Sequence, residues 1–160
     1  MLFIATLLPL LALTSVSAIP TKRDGPGKLR LKGTNQCLGK AKENGGSTGT
    51  NGIWTEPCDT AISWKIPPMA QPGKIELQDY ELSALDGGDG VSVDIPLTTG
   101  VYDPAKPGQQ WAINPDGRIS IGGAKMVCVS WLEGNIVQAK ACGTGGDAPD
   151  GTIKQVWELA

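Results

Sequence analysis

The chain has 160 residues, with 14 basic and 16 acidic side chains, 22 glycines, 12 prolines, four cysteines and no histidine. Its net charge of −2 disfavours nucleic acid and anionic membrane surfaces as partners. The missing histidine excludes Ser-His-Asp and Cys-His catalysis and removes the commonest zinc ligand.

Residues 2–13 form an uncharged, Leu-rich stretch, and Val16-Ser17-Ala18 after it supplies the small residues a signal peptidase reads. Residues 1–18 are therefore expected to be a signal peptide, although the stretch before the apolar run carries no Lys or Arg. The run is interrupted by Thr6, Pro9, Thr14, Ser15 and Ser17 and is short for a hydrocarbon core of ~30 Å, so membrane insertion is not expected. Lys22-Arg23 ahead of Asp24-Gly25 looks like a dibasic, kexin-type processing site that would define a propeptide over 19–23; the alternative is two ordinary basic residues in a leader. Removing 23 of 160 residues leaves 137, one domain over 24–160 with 12 basic and 16 acidic side chains and a net charge of −4. In a chain expected to be secreted and extracellular, four cysteines without Cys-x-x-Cys spacing point to disulfides rather than to a metal site or reactive thiols. No Asn-x-Ser/Thr acceptor for N-glycosylation is present.

No segment reads as a helix. Leu29-Arg30-Leu31, Ile75-Glu76-Leu77 and Ile119-Ser120-Ile121 each alternate apolar and polar residues with the period of a half-buried strand. Trp64-Lys65-Ile66, Trp111-Ala112-Ile113 and Trp157-Glu158-Leu159 share the pattern Trp, any residue, aliphatic, at spacings of 47 and 46 residues. Cys37-Leu38, Ala84-Leu85 and Cys128-Val129 fall in the same register, and Ile53, Val91 and Val137 begin a third set of matched strands. The chain thus divides into all-β units over about 28–66, 74–113 and 117–159. Three units are fewer than the four to eight blades that close a propeller. A lone hairpin is marginally stable, so each unit needs its neighbours to bury a shared core around Trp64, Trp111 and Trp157.

Gln109-Gln110-Trp111 and Gln155-Val156-Trp157 place a Gln-x-Trp tripeptide at the end of two units, and Ile62-Ser63-Trp64 is a degenerate copy at the end of the first. In this the chain resembles the ricin B-type lectin domains over essentially all of 24–160. The resemblance implies a β-trefoil of three ~46-residue repeats, in which Gln155 and the three tryptophans are structural. In that family each repeat often carries its own disulfide, which implies Cys37–Cys58 and Cys128–Cys142 and none in the middle repeat, where Ala84 and Pro96 stand in the cysteine positions. Pairing across repeats is the alternative, and it abandons the common register.

Sugar recognition on such a fold uses an acid to accept two vicinal hydroxyls, an aromatic face for the pyranose and amides to orient it. The resemblance puts the acid one position after the Cys-Leu pair, which is Gly39, Asp86 and Ser130 in the three repeats. The outward positions two and four residues before the later cysteine or its counterpart are Glu56 and Trp54, Asp94 and Ser92, and Lys140 and Gln138. The family's aromatic is absent from all three, and the Asn that commonly precedes the Gln is Gly108 or Lys154. The implied carbohydrate-binding residues are therefore Asp86, Asp94 and Gln109, with Tyr102 in the loop from Pro96 to Pro107 as a replacement platform. Asp86-Gly87-Gly88-Asp89-Gly90 also has the composition of a tight turn, and it lacks the alternating acids and distal Glu of a calcium loop, so no metal or cofactor is expected. Trp54, Trp131 and Tyr80 are aromatics outside the periodic set. Trp54 and Trp131 are able either to cover the ends of the barrel or to stack on a ligand.

The function these residues point to is a secreted, lectin-like, non-enzymatic protein that recognises a galactose-type sugar weakly, on a carbohydrate or glycoprotein partner. A single shallow site gains avidity only if the chain forms a homo-oligomer. The alternative is a non-catalytic interaction module, an effector or protease inhibitor, that kept the scaffold and uses loops such as 96–107 or 143–151. No carboxylate pair at hydrolase separation is evident, so an enzyme is not expected.

Overall fold

The structure, a computed structural model, describes residues 25–40, 52–79, 84–88, 93–121, 127–143 and 153–160. The expected signal peptide and propeptide, Tyr80, Asp89-Gly90, Val91, Ser92 and the loop after Gly143 lie outside the described residues.

Fourteen short antiparallel strands and one 3-10 turn, Pro107–Gln109, make up the regular structure among the described residues. In chain order the strands are β1 (Pro26–Gly27), β2 (Leu29–Leu31), β3 (Gln36–Lys40), β4 (Ile53–Pro57), β5 (Trp64–Lys65), β6 (Glu76–Leu77), β7 (Ala84–Asp86), β8 (Ile95–Pro96), β9 (Thr98–Gly100), β10 (Trp111–Ile113), β11 (Ile119–Ile121), β12 (Val127–Leu132), β13 (Ile136–Ala141) and β14 (Trp157–Leu159). The fold is all-β. One sheet has the order β1-β5-β6-β7-β9. The other runs β10-β11-β12-β13-β4-β3-β2-β14, with β8 added against β13. An isolated bridge between Arg118 and Val156 ties the two ends of this larger sheet, and bridges Gly73–Trp111 and Gly52–Thr98 tie it to the smaller one.

The alternating triplets behave as strands with one buried face. Leu29 and Leu31 point inward while Arg30 pairs with Glu158 across to β14 at 2.9 Å. The other two triplets depart from strict alternation, because Glu76 and Ser120 are buried as well. Each is compensated: Lys74 and Lys65 flank the Glu76 carboxylate at 3.1 and 3.9 Å, and Asn114 donates to the Ser120 hydroxyl at 3.0 Å.

Among the described residues an apolar cluster fills the interior, with Trp64, Trp111 and Trp157 among Leu29, Leu38, Leu85, Val129 and their neighbours. Each indole finds its partner in the same way. Trp64 Nε1 donates to Leu38 O at 2.9 Å, Trp111 Nε1 to Leu85 O at 2.8 Å and Trp157 Nε1 to Val129 O at 3.0 Å. A buried indole without an acceptor would forfeit a hydrogen bond made to water, so these three matched bonds remove the main cost of placing Trp in the core. The disulfides join Cys37 to Cys58 and Cys128 to Cys142, as the resemblance implies.

One strand of the middle unit falls elsewhere than expected. Glu56 faces Cys37 and Lys140 faces Cys128, but the residue facing Ala84 is Gly100, six positions beyond Asp94. The later strand of the middle unit is thus Thr98–Gly100, and Tyr102, not Pro96, stands two residues beyond it where Cys58 and Cys142 stand in the other units. The cause is a detour: Ile95 and Pro96 pair with Ala139 and Gln138 of β13 before the chain returns to β7. Counting residues without a cysteine to anchor the register could not locate it.

Candidate functional site

The two glutamines of the Gln-x-Trp tripeptides make the same bonds. Gln109 Nε2 donates to Asp86 Oδ2 at 2.9 Å and to Val101 O at 3.0 Å, while its Oε1 accepts from Asp103 N at 2.7 Å. Gln155 Nε2 donates to Ser130 Oγ at 2.9 Å and to Ala141 O at 2.8 Å, while its Oε1 accepts from Gly143 N at 2.7 Å. Both side chains are buried, so they are positioning groups that seat the residue after the Cys-Leu-like pair and the end of the facing strand. Gln155→Ala is accordingly expected to cost about 1–3 kcal/mol, read by urea denaturation, because the Gly143 N–H and the Ser130 hydroxyl lose their buried partner.

Asp86 is the focus of the middle unit and is only 6% exposed. Its Oδ1 accepts from Gly88 N at 2.7 Å. Its Oδ2 accepts from Gln109 Nε2 and, at 2.7 Å, from the Lys106 ammonium, itself partly exposed. Three of the roughly four lone-pair positions of the carboxylate are therefore used within the protein. Gly108, where the family's Asn would stand, packs so close to Gly88 that a Cβ would run into the Gly88 carbonyl, and Gly87 N donates to Gly108 O at 2.8 Å. The glycine at 108 follows from this backbone contact.

The other residues expected here are distributed differently. The structure brings together Asp86 and Gln109, with Tyr102 near the same loop. The Tyr102 hydroxyl accepts from Gln110 Nε2 at 3.1 Å, and the Lys74 ammonium lies 5.2 Å from its ring centroid, so one face of the platform is covered by a cation. Asp94 is instead on the approach to β8, where its carboxylate pairs with Lys140 of β13 and its amide bonds Ala139 O. Lys106 and Lys74 are the participants that sequence reasoning missed; no spacing rule brings a lysine from a loop onto a carboxylate twenty residues earlier.

Of the aromatics outside the core set, Trp131 packs half-buried on the apolar cluster with Lys154 over its ring at 5.6 Å. Trp54 lies on the outward side of β4 and is 45% exposed. Among the described residues no cluster of three or more His, Cys, Asp or Glu is arranged to hold a metal ion, and no helix is long and apolar enough to cross a membrane. Compared with protein-family models and with curated proteins, the chain matches none.

Proposed function

We propose that this chain is a secreted, non-catalytic β-trefoil protein of three repeats that binds carbohydrate in the manner of a lectin. The trefoil reading is supported by the three indole bonds from Trp64, Trp111 and Trp157 to Leu38, Leu85 and Val129, and by the matched seats of Gln109 and Gln155. The observation that carries the sugar reading is the Asp86 carboxylate, held in place by a buried amide donor, as an acceptor for sugar hydroxyls must be if it is to be pre-organised. Lys106, at the solvent side of that carboxylate, then shares the hydroxyls as a donor. Secretion is supported by the leader and by the two disulfides.

The test is a glycan array with the wild type, Asp86→Ala and Asp86→Asn, each checked for cooperative melting. Binding of terminal galactose-type glycans by the wild type and its loss in both variants is the expected result. Equal binding by Asp86→Asn would remove the middle-repeat site, and a wild type that binds no glycan would remove the lectin reading. The second reading, an interaction module on the same scaffold, is favoured by one observation: the Asp86 oxygens are already occupied by Gly88, Gln109 and Lys106. Inhibition within a protease panel alongside an inert glycan array would select it.

A further inference from the structure

A cation precedes each alternating triplet: Lys28 before Leu29-Arg30-Leu31, Lys74 before Ile75-Glu76-Leu77 and Arg118 before Ile119-Ser120-Ile121. The triplets share one register, since Arg30 faces Cys37, Glu76 faces Ala84 and Ser120 faces Cys128. Two of the three cations are satisfied within the protein. Lys28 Nζ donates to the Cys58 and Asp59 carbonyls, while Lys74 Nζ donates to the buried Glu76 carboxylate at 3.1 Å and lies 5.2 Å from the Tyr102 ring centroid. Arg118 is not satisfied. Its side chain is only 20% exposed, its Nε is buried, and its guanidinium donates no hydrogen bond among the described residues. The Asp116 carboxylate paired with it is 55% exposed and holds Oδ2 3.6 Å from Nε, too far for a hydrogen bond, because Oδ1 is turned to the Arg118 backbone N–H at 3.1 Å. Ser120 stands where Glu76 stands in the middle unit, so the internal carboxylate that neutralises Lys74 has no counterpart here. Beside Ser120 opens a cavity of about 310 Å³ bounded by Arg118, Asn114, Pro115 and the Cys128–Cys142 bridge.

We propose that Arg118 and Ser120 form a binding site for an aliphatic carboxylate, which enters this cavity and supplies to Arg118 what Glu76 supplies to Lys74. The site does not rest on the carbohydrate reading. A buried guanidinium N–H without an acceptor is costly, and a planar carboxylate matches the guanidinium fork with two parallel charge-assisted bonds. Ser120 Oγ accepts from Asn114 Nδ2 at 3.0 Å, so its own proton is left to donate to the bound acid. Pro115 and the disulfide give the alkyl part of the ligand an apolar wall. Phosphate and sulfate are poorer occupants. Asp116 at the mouth repels a dianion more strongly than a monoanion, and tetrahedral oxygens fit the fork no better. A free short-chain acid and the carboxy terminus of a peptide share the chemistry that the site recognises.

The experiment is an NMR titration of the ¹⁵N-labelled full chain, at constant ionic strength, with acetate, with N-acetyl-Ala-Ala, with its C-terminal amide and with sulfate. The Arg118 Nε–H and the Ser120 amide are expected to shift saturably with both carboxylates and not with the amide. Arg118→Lys, which keeps the charge and loses the fork, should weaken that response by about tenfold, and Ser120→Glu, which rebuilds the internal acid of the middle unit, by at least as much. Asp116→Asn, an exposed change that keeps the acceptor for the Arg118 amide, should strengthen it severalfold, and Met69→Ala, exposed elsewhere, should leave it alone. Each variant is first checked for cooperative melting, and the gain in Asp116→Asn cannot arise from a failure to fold. Peptide binding about tenfold or more tighter than acetate assigns the site to a chain terminus, and equal affinities assign it to a free acid. No saturable shift at Arg118 with either carboxylate, an equal shift with sulfate, or a response that survives both Arg118→Lys and Ser120→Glu would overturn the site, whatever the glycan array shows.

Discussion

Replacing Trp111 with alanine is expected to destabilise the protein by about 3–5 kcal/mol, the usual cost of emptying a buried aromatic site. Trp111 is fully buried, and its ring lies under Gly87, where a Cβ would already meet Cζ2 at 3.0 Å. Truncation therefore opens a cavity between the core and the turn that carries Asp86, and strands the Leu85 carbonyl. Against a stability of about 5–15 kcal/mol for an ordinary domain, that is a large fraction. Trp111→Phe separates the two contributions: it keeps most of the apolar volume and removes only the indole donor, so a smaller loss of about 1–3 kcal/mol is expected. Urea denaturation of the two variants, with Trp54→Ala as an exposed comparison, checks the order. A Trp111→Ala protein as stable as Trp54→Ala would show that the 47-residue period marks something other than the core.

How much of this was legible in the sequence depended on whether a residue's partner was fixed by local spacing. The strands at Leu29–Leu31, Trp64, Trp111, Ile119–Ile121 and Trp157 were legible because alternation and a heavy, repeated indole leave few ways to bury the chain. The disulfides followed from the family resemblance once a common register existed. Where no cysteine marked the later strand, in the middle unit, the register was lost, and Asp94 was assigned the place held by Gly100. Asp86 and Gln109 were legible as neighbours, whereas Lys106 and Lys74 were not, since long charged side chains reach carboxylates and rings from loops whose course no periodicity dictates.

The two disulfides are expected to differ in what they hold. Each closes a short loop, of 21 residues for Cys37–Cys58 and 14 for Cys128–Cys142. The chain-entropy model gives about 3 kcal/mol for each, slightly more for the longer loop. The hairpin around the second bridge has further support: six facing positions between β12 and β13, and the Gln155 seat that ties Ser130, Ala141 and Gly143 together. The hairpin around the first has five facing positions, and Ile62 stands where a seating Gln would be. Cys37→Ser/Cys58→Ser should therefore cost more than Cys128→Ser/Cys142→Ser, with about 3 kcal/mol as the entropic part of each, in urea denaturation under non-reducing conditions. Adding Gln155→Ala to the second double variant should bring the pair level, because it removes the bonds that made the difference. If the second bridge proves the costlier of the two before that change, the seat around Gln155 stabilises the hairpin less than its buried bonds imply.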